Sequence, residues 1–452
     1  MKRNNIIVLL FAVLCANTLG AQQVLTIDSC LDLALKNNKA LKEHKISEEK
    51  AKQVKMQVFT KYFPNISLVG AGYMTLDPVV KISDENIKDH DMRERLDNFY
   101  KNFGESYGLP NSISLFEKGM MGSVTAVQPI FMGGKIVAGN KLAKMGVQAS
   151  ELQTEVFVRD LLLDIEQNYW LIASLEDKVQ TLQTVTQLLD TLHSIVLVAV
   201  EAGVAKKNDL LQVQLKQDEI KVKKIQLDNG IVLAKRNLCQ NIGVEYNDSL
   251  QVDTLWYEDN EDISLPSADM VQTRPETEQL KLQLKAGKTK RYMEVAEALP
   301  KIAVMGSYYY GDIMGMNTEH LKSTYNANGV VGLTVTVPLT GWWEAGHKIK
   351  AQSLALQQNQ LQYEDLTEKM LLQTYQTYDK LLETKAICTQ QQTSLATAQE
   401  NYRLYILNYQ VGRASISELL EAQGMYLQAS NNLTDAKINY LMAMKRYQAL
   451  TK

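Results

Sequence analysis

Two long stretches without proline limit the fold of this chain more than any other feature. Among its 452 residues, the eight prolines leave residues 130–265 and 339–452 free of the strongest helix breaker. In the first stretch, apolar residues such as Leu161, Ile165 and Tyr169 recur at the spacing of one helix face. The longest rods would reach about 100 Å at about 1.5 Å per residue, more than a compact domain requires. We expect helices over about residues 134–202, 207–242, 342–411 and 415–450.

The two halves of the chain repeat each other. The sequence VTAVQPIFMGGKIVAG at 124–139 corresponds to LTVTVPLTGWWEAGHK at 333–348, and VEAGVAKKNDLLQVQ at 200–214 corresponds to YQVGRASISELLEAQ at 409–423. Both correspondences have an offset of 209 residues. This self-similarity predicts a duplicated unit of helix, strand, loop, strand, long helix, turn and helix. The first repeat is expected over 22–242, a linker or equatorial region over 243–272, and the second repeat over 273–452.

Short segments beside each predicted loop alternate apolar and polar residues. Val331, Leu333, Val335 and Val337 alternate with glycine and threonine, and this period of two predicts a strand with one apolar face. An ordinary half-buried antiparallel sheet fits the same alternation. Four strands, however, cannot close a barrel around water. If the apolar face meets lipid, several chains must contribute to the barrel. Strands are expected at about 64–75, 121–131, 300–311 and 329–339.

The N-terminus has the pattern of an exported protein. Lys2 and Arg3 precede an apolar run, and Gly20 and Ala21 offer small residues for cleavage. We expect residues 1–21 to be a signal peptide. A membrane anchor is a weaker alternative because the apolar run is short, and a lipid anchor on Cys15 would need a small preceding residue. No continuous apolar run of membrane-spanning length follows, so no transmembrane helix is expected.

Three cysteines remain after the predicted cleavage site: Cys30, Cys239 and Cys388. Buried thiols are the simplest interpretation of this odd number, and Cys30 to Cys239 is the one bridge we consider. The five histidines show no metal-ligand spacing, and Lys135 in MGGKI lacks the following Ser or Thr of a phosphate-binding loop. The formal net charge of −3 shows no basic excess for nucleic acid. We therefore expect no enzyme activity, metal or cofactor.

A glycine separates the two predicted helices in each repeat. Gly412 offers the permissive backbone that ends one helix, and Ser415 with Glu418 three residues later forms a capping-box pattern for the next. Gly203 and Asn208 are expected to serve the same purpose in the first repeat. Each glycine therefore marks the tip of a helical hairpin.

The duplicated strand segments, the proline-free rods and the sequence YQVGRASISELLEAQ together resemble the outer-membrane factors of the TolC type. The resemblance covers about residues 25–450 and implies a mainly α fold with a membrane β-barrel part. Three chains would each give four strands to one 12-stranded barrel, continued by a long periplasmic helical barrel. It also implies a Gram-negative outer-membrane location, contact with lipid through Val331, Leu333, Val335 and Val337, and a periplasmic adaptor that links the trimer to an inner-membrane transporter.

The same resemblance implies roles for residues at the tips. Acidic residues six and nine positions after the tip glycine point into the pore of the family, and these positions hold Glu418 and Glu421. Rings of like charge attract cations and raise carboxylate pKa values. Asp209 and Tyr409 match two members of a tip-closing set, whereas the arginine position holds Ala414 with Arg413 beside it. Gly203, Gly412 and Ser415 are the expected adaptor contacts.

These features predict the passive exit duct of a tripartite efflux system for small molecules or drugs. Two alternatives stay open at this point. The same duct could serve a type I protein secretion system, or the chain could be a secreted coiled-coil protein without a pore.

Overall fold

A computed structural model describes residues 24–77, 80–83, 87–104, 112–115, 118–248, 250–253, 265–312 and 326–451. The predicted signal peptide lies outside these residues. The chain divides into two compact units. The first unit comprises Met1–Lys50, Gln148–Gln283 and Gln360–Lys452, and the second comprises Ala51–Val147 and Leu284–Asn359.

Long helices dominate the described residues, as the proline-free stretches predict. The two longest have 67 and 70 residues, and each is followed after a short turn by a helix of 36 residues. In chain order the helices are α1 (Ile27–Asn37), α2 (Lys39–Phe59), α3 (His90–Phe99), α4 (Lys135–Glu201), α5 (Lys207–Ile242), α6 (Ala268–Gln272), α7 (Pro275–Glu297), α8 (Gly341–Gln410) and α9 (Ile416–Thr451).

Strands from both repeats combine into one antiparallel sheet. In chain order the strands are β1 (Val24–Leu25), β2 (Asn65–Met74), β3 (Val80–Ser83), β4 (Ser112–Leu115), β5 (Lys118–Met132), β6 (Gln251–Val252), β7 (Lys301–Asp312) and β8 (Asn326–Thr336). The order in the sheet is β2-β5-β7-β8, so the first repeat supplies one adjacent pair and the second repeat supplies the other. A separate parallel pair joins β1 to β6, which lies in the predicted linker.

Proline sets the boundary of the last strand. The sequence predicted a strand over 329–339, but β8 begins at Asn326 and ends at Thr336. Pro338 has no backbone N–H to donate to a neighbouring strand. Val337, which was predicted to be a strand residue, therefore lies one position beyond the ladder. Pro129 is accommodated inside β5 because the register shifts between Pro129 and Phe131.

The core of the first unit gathers helices that are distant in sequence. Ile165 and Ile172 of α4, Leu238 of α5 and Leu381 of α8 have no exposed surface and belong to one apolar cluster. Arg274, immediately before α7, is buried and donates hydrogen bonds to the Leu450 carbonyl at 2.9 Å and to Thr374 Oγ1 at 2.6 Å. These contacts join the α6–α7 connection to α8 and to the end of α9.

The three described cysteines are free thiols. Cys30 and Cys239 are both buried in the main apolar cluster of the first unit, and the bridge considered from the sequence is not formed there. Burial and the neighbouring Cys239 raise the pKa of Cys30 to about 12. Protonated, buried thiols of this kind react slowly.

One described helix contains an apolar window that the sequence expectation missed. By length and composition, an 18-residue window of α4 could cross a membrane, and 17% of it is buried. The expectation of no spanning helix required a continuous apolar run, whereas this window is apolar on average. Core helices of soluble proteins contain such windows too, and apolar residues of α4 pack into the cluster described above.

Candidate functional site: hairpin tips and a two-faced sheet

The first hairpin tip turns through one glycine. After α4, Gly203 has φ of +74°, a left-handed conformation that glycine adopts at little cost. The Ala199 carbonyl accepts hydrogen bonds from the Val204 N–H at 2.9 Å and from the Ala205 N–H at 3.1 Å. The Gly203 N–H donates to the Val200 carbonyl at 3.0 Å. These bonds use the carbonyls that the end of α4 would leave without partners.

The second tip repeats this geometry 209 residues later. Gly412 also has φ of +74°. The Asn408 carbonyl accepts from the Arg413 N–H at 2.8 Å and from the Ala414 N–H at 3.3 Å, and the Gly412 N–H donates to the Tyr409 carbonyl at 3.0 Å. A Cβ on either tip glycine would meet no atom within 4 Å. The glycines are therefore required by the backbone conformation and not by crowding.

A carboxylate caps the next helix at each tip. At the start of α9 the Glu418 carboxylate accepts from the Ser415 N–H at 2.7 Å and from the Ser415 hydroxyl at 2.9 Å. The Glu418 N–H donates to Ser415 Oγ at 3.3 Å, which completes the predicted capping box. At the start of α5 the Asp209 carboxylate accepts from the Lys206 N–H at 3.1 Å. Asp209 and Glu418 are thus equivalent residues of the two repeats.

The first turn of α5 corrects the predicted helix cap and gives Asp209 a capping role. Asn208 was predicted to cap α5, but the helix begins at Lys207, with Lys206 at its N-cap position. Asn208 is already inside the first turn. The capping role of Asp209 was missed because Lys206 replaces the serine of the second repeat. The offset of 209 residues between Asp209 and Glu418 is the sequence signal that could have revealed it.

The Glu418 cap is expected to weaken at low pH. Hydrogen bonds from the Ser415 backbone and hydroxyl lower the pKa of Glu418. The stabilisation by the charged carboxylate is therefore complete above the unfolded pKa of about 4.3 and is lost as the pH falls through the lower folded pKa. Hydrogen exchange at the Ser415 amide, corrected for intrinsic exchange, should accelerate below about pH 4. Glu418→Gln should remove this pH dependence, whereas Glu421→Gln should retain it; equal profiles for both variants would contradict the cap.

A cleft of about 670 Å³ lies between the two hairpin tips. Asp209 of α5 lines it, together with Tyr409, Gly412 and Ser415 of the second tip. Burial, and secondarily the negative charge of Asp209, raise the pKa of Tyr409. The Tyr409 hydroxyl has no hydrogen-bond partner among the described residues. The structure thus places Asp209 and Tyr409 in one cleft without a direct bond between them.

An apolar cluster beneath the cleft joins the two hairpins. Val196 and Val213 of the first hairpin pack with Ile416 and Leu419 of the second, and each is at most 3% exposed. Because these residues come from α4, α5 and α9, the two tips are held together by burial within one chain.

The remaining predicted tip residues lie at the surface. Glu421 is exposed one helical turn after Glu418. Arg413 is exposed, and its described hydrogen bond is the backbone bond to Asn408. Gly203 belongs to the first tip and does not line the cleft. The cleft gathers Asp209, Tyr409, Gly412 and Ser415, but not the two predicted gate carboxylates or the arginine.

In the second unit, the four-stranded sheet has one apolar and one polar face. A row of Ile66, Ala126, Gly306 and Val331 crosses all four strands on one face. The adjacent row on the other face begins Ser67, Thr125 and Ser307, and the last two hydroxyls lie 3.0 Å apart. The predicted apolar residues Val331, Leu333 and Val335 are 80%, 66% and 55% exposed. This sheet therefore leaves its apolar face uncovered by the described chain.

Aromatic residues occupy the loop end of the apolar face. Tyr308 and Tyr310 share this face with Val304 and Ile302, and are 59% and 58% exposed. Aromatic residues at the ends of an apolar strand are typical of proteins at a membrane interface. Sequence reasoning missed both tyrosines, although the same period of two leads from Val304 to them.

An exposed apolar sheet face and helices of about 70 residues in the same chain define the class of a membrane channel protein with long helices. The family comparison gives the same result: the outer membrane efflux protein family matches residues 30–244 and 268–451, and the chain belongs to this family. No curated protein matches the chain.

Solved outer-membrane channels share the fold at low sequence identity. The outer membrane protein VceC from Vibrio cholerae is 14% identical, with 94% of this chain and 96% of that chain covered and a TM-score of 0.72. The Campylobacter jejuni CmeC outer membrane channel is 16% identical, with coverage of 94% and 85% and a TM-score of 0.73. The open state of the Neisseria gonorrhoeae MtrE outer membrane channel is 15% identical, with coverage of 94% and 88% and a TM-score of 0.73.

These findings confirm the mainly α fold with a membrane β part and the duct class. The protein is an efflux-type channel of the Gram-negative outer membrane with a large periplasmic helical part, and it is not an enzyme.

Proposed function

We propose that three copies of this chain form one duct through the outer membrane. The structure of the four-stranded sheet is the observation that supports this proposal. Its apolar face is exposed, its polar face carries hydroxyls, and four strands are too few to enclose water. β2 and β8 are its outer strands, and pairing β8 of one copy with β2 of the next would give twelve strands without an edge. Lipid then covers the apolar face.

We infer that the tips contact a periplasmic adaptor, which connects the duct to an inner-membrane transporter. Val204 and Val411 are 83% and 67% exposed beside the two tip glycines, and the cleft between the hairpins opens at the same place. Exposed apolar side chains beside a cleft suit a helical partner that fills it. Gly203, Gly412 and Ser415 define the turns that such a partner would recognise.

The tips are also the proposed gate. In a trimer, three Glu421 side chains would form an exposed ring of carboxylates that attracts cations. Glu418 would contribute a second ring, although within each chain its carboxylate already accepts the Ser415 bonds. Asp209 and Tyr409 would hold the closed tip from the cleft, and Arg413 has no described side-chain contact there. Adaptor binding in the cleft would disrupt the closed tip and open the duct.

Small solutes are the substrates that we propose for export through the duct. Deleting the gene in its native host should therefore increase the accumulation of a fluorescent hydrophobic dye in the cells, and the wild-type gene should restore export. Val204→Asp with Val411→Asp should form trimers but fail to restore export, because charge at the exposed tips disfavours an apolar contact. The control is Leu361→Asp, an exposed substitution on α8 far along the chain from the tip. Unchanged dye accumulation together with loss of a protein from the culture medium would replace this proposal with protein secretion.

A further inference from the structure

The connection between β2 and β5 contains a short amphipathic helix that the duct function does not require. It comprises α3 and a π-helical turn, Tyr100–Gly104, and follows the β3 strand that pairs with β4. Four apolar side chains form its stripe: Met92, Leu96, Phe99 and Phe103 are 54%, 43%, 55% and 54% exposed. No described part of the chain covers this stripe.

The helix is stabilised by its own polar groups. The Asp89 carboxylate caps α3 by accepting from the Asp91 N–H at 3.0 Å and the Met92 N–H at 3.3 Å. Lys101 and Asp97 form an ion pair of 3.0 Å away from the stripe. A helix that is capped and paired on its polar side, but has four large exposed apolar residues, presents a surface suited to a partner.

The stripe is as narrow as the contact line between two helices of a coiled coil, which we call the seam. Its residues are spaced by four, three and four positions, the alternation of the a and d positions of a coiled coil. The Phe99 and Phe103 rings stack with centroids 5.8 Å apart, so the seam continues into the π-helical turn. A stripe restricted to a and d positions is narrower than the apolar face of an ordinary amphipathic helix.

Charge also favours a protein partner over a lipid surface. Residues 87–104 contain four basic and four acidic side chains, which gives no net charge. Helices that bind anionic membrane surfaces are rich in lysine and arginine on their polar face. A neutral helix with a narrow seam is suited to pack against a helix of the same kind.

The long connections between strands of outer-membrane barrels lie outside the cell. We propose that the α3 helices of three subunits pack stripe to stripe and form a cap over this external end of the duct. This inference rests on the trimer proposed above, because the three-fold symmetry brings three copies of one loop around one exit. The cap would be a second constriction, separate from the periplasmic tips. Its occupant is a second and a third copy of this chain.

Thiol cross-linking of the full-length trimer tests this cap. Cys388→Ser removes the half-buried native thiol, and Phe99→Cys or Lys101→Cys then adds one thiol on or off the seam. A short bifunctional thiol reagent should convert about two-thirds of Phe99→Cys chains into dimers, since each bridge joins two of three subunits. Lys101→Cys should remain monomeric on denaturing gels. Absence of trimers before cross-linking would refute the proposed duct, whereas intact trimers with equal, low cross-linking of both variants would refute only the cap.

Conductance provides a second measurement. Leu96→Asp with Phe99→Asp places repelling charges in the seam and should raise single-channel conductance by at least about twofold without reducing trimer content. Asn98→Asp adds a charge outside the seam and should conduct like the wild type. Unchanged conductance of the seam variant would overturn the cap. Contact of a dye at Phe99→Cys with brominated lipid, without cross-linking, would instead place the helix on the membrane.

Discussion

Leu333→Arg is expected to reduce the amount of folded trimer in the outer membrane by about tenfold or more. Leu333 lies near the middle of β8 on the apolar face and is 66% exposed. An arginine at the lipid-facing centre of a barrel strand costs about 2 to 4 kcal/mol per chain, and three chains would each bear that cost. Trimer yield can be measured by native gel and mass photometry of detergent-extracted outer membranes.

Two neighbours serve as controls for this substitution. Thr334→Arg places the same charge on the opposite, polar face and should leave trimer yield within about twofold of the wild type while changing ion selectivity. Val335→Arg should have an intermediate effect, because Val335 is next to the last residue of β8 and the cost falls towards the interface. Equal yields for all three variants would contradict the assignment of the faces.

Asp209→Ala combined with Tyr409→Phe is expected to increase the basal conductance of purified trimers about fivefold. Removing the Asp209 carboxylate uncaps the first turn of α5, and loss of a helix cap costs about 1 kcal/mol. If each of the three tips opens independently and depends on this turn, that amount shifts the closed-to-open ratio of each tip about fivefold. The second change removes the hydroxyl in the shared cleft. Single-channel recordings in planar bilayers measure the result.

Two further variants separate the helix-capping hydrogen bond of Asp209 from its negative charge. Asp209→Asn retains an oxygen that can accept the hydrogen bond from the Lys206 N–H. If this helix cap keeps the tip closed, the variant should therefore have close to wild-type conductance. Asp218→Ala removes an exposed carboxylate from the same helix, paired with Lys221 at 2.9 Å, and should have no effect. Wild-type conductance of the double variant would show that the gate lies elsewhere on the chain.

The elements with strong local signals were predictable from the sequence. The absence of proline and the apolar spacing gave α4 and α8 within about two residues of their observed ends. The tip turns were predictable because a left-handed residue after a helix favours glycine. The capping box of Ser415 and Glu418 depends on residues only three positions apart, so it too can be read locally.

Contacts between distant segments were harder to predict. The period of two shows which side chains share a face of one strand, but not which strands are neighbours. The structure places β5 beside β7, and this pairing extends the apolar face across both repeats. The role of Asp209 was concealed because its cap partner is a backbone N–H, which every residue except proline can supply.

The sequence by itself therefore determined the helices, the duplication, the tip turns and the alternation of the strands, since all of these depend on the conformational preferences of neighbouring residues. Only the tertiary structure decided the strand order and the cleft shared by Asp209 and Tyr409. Those features arise when residues as far apart as Val196 and Leu419 bury apolar surface together. Local preferences do not specify which segments will meet.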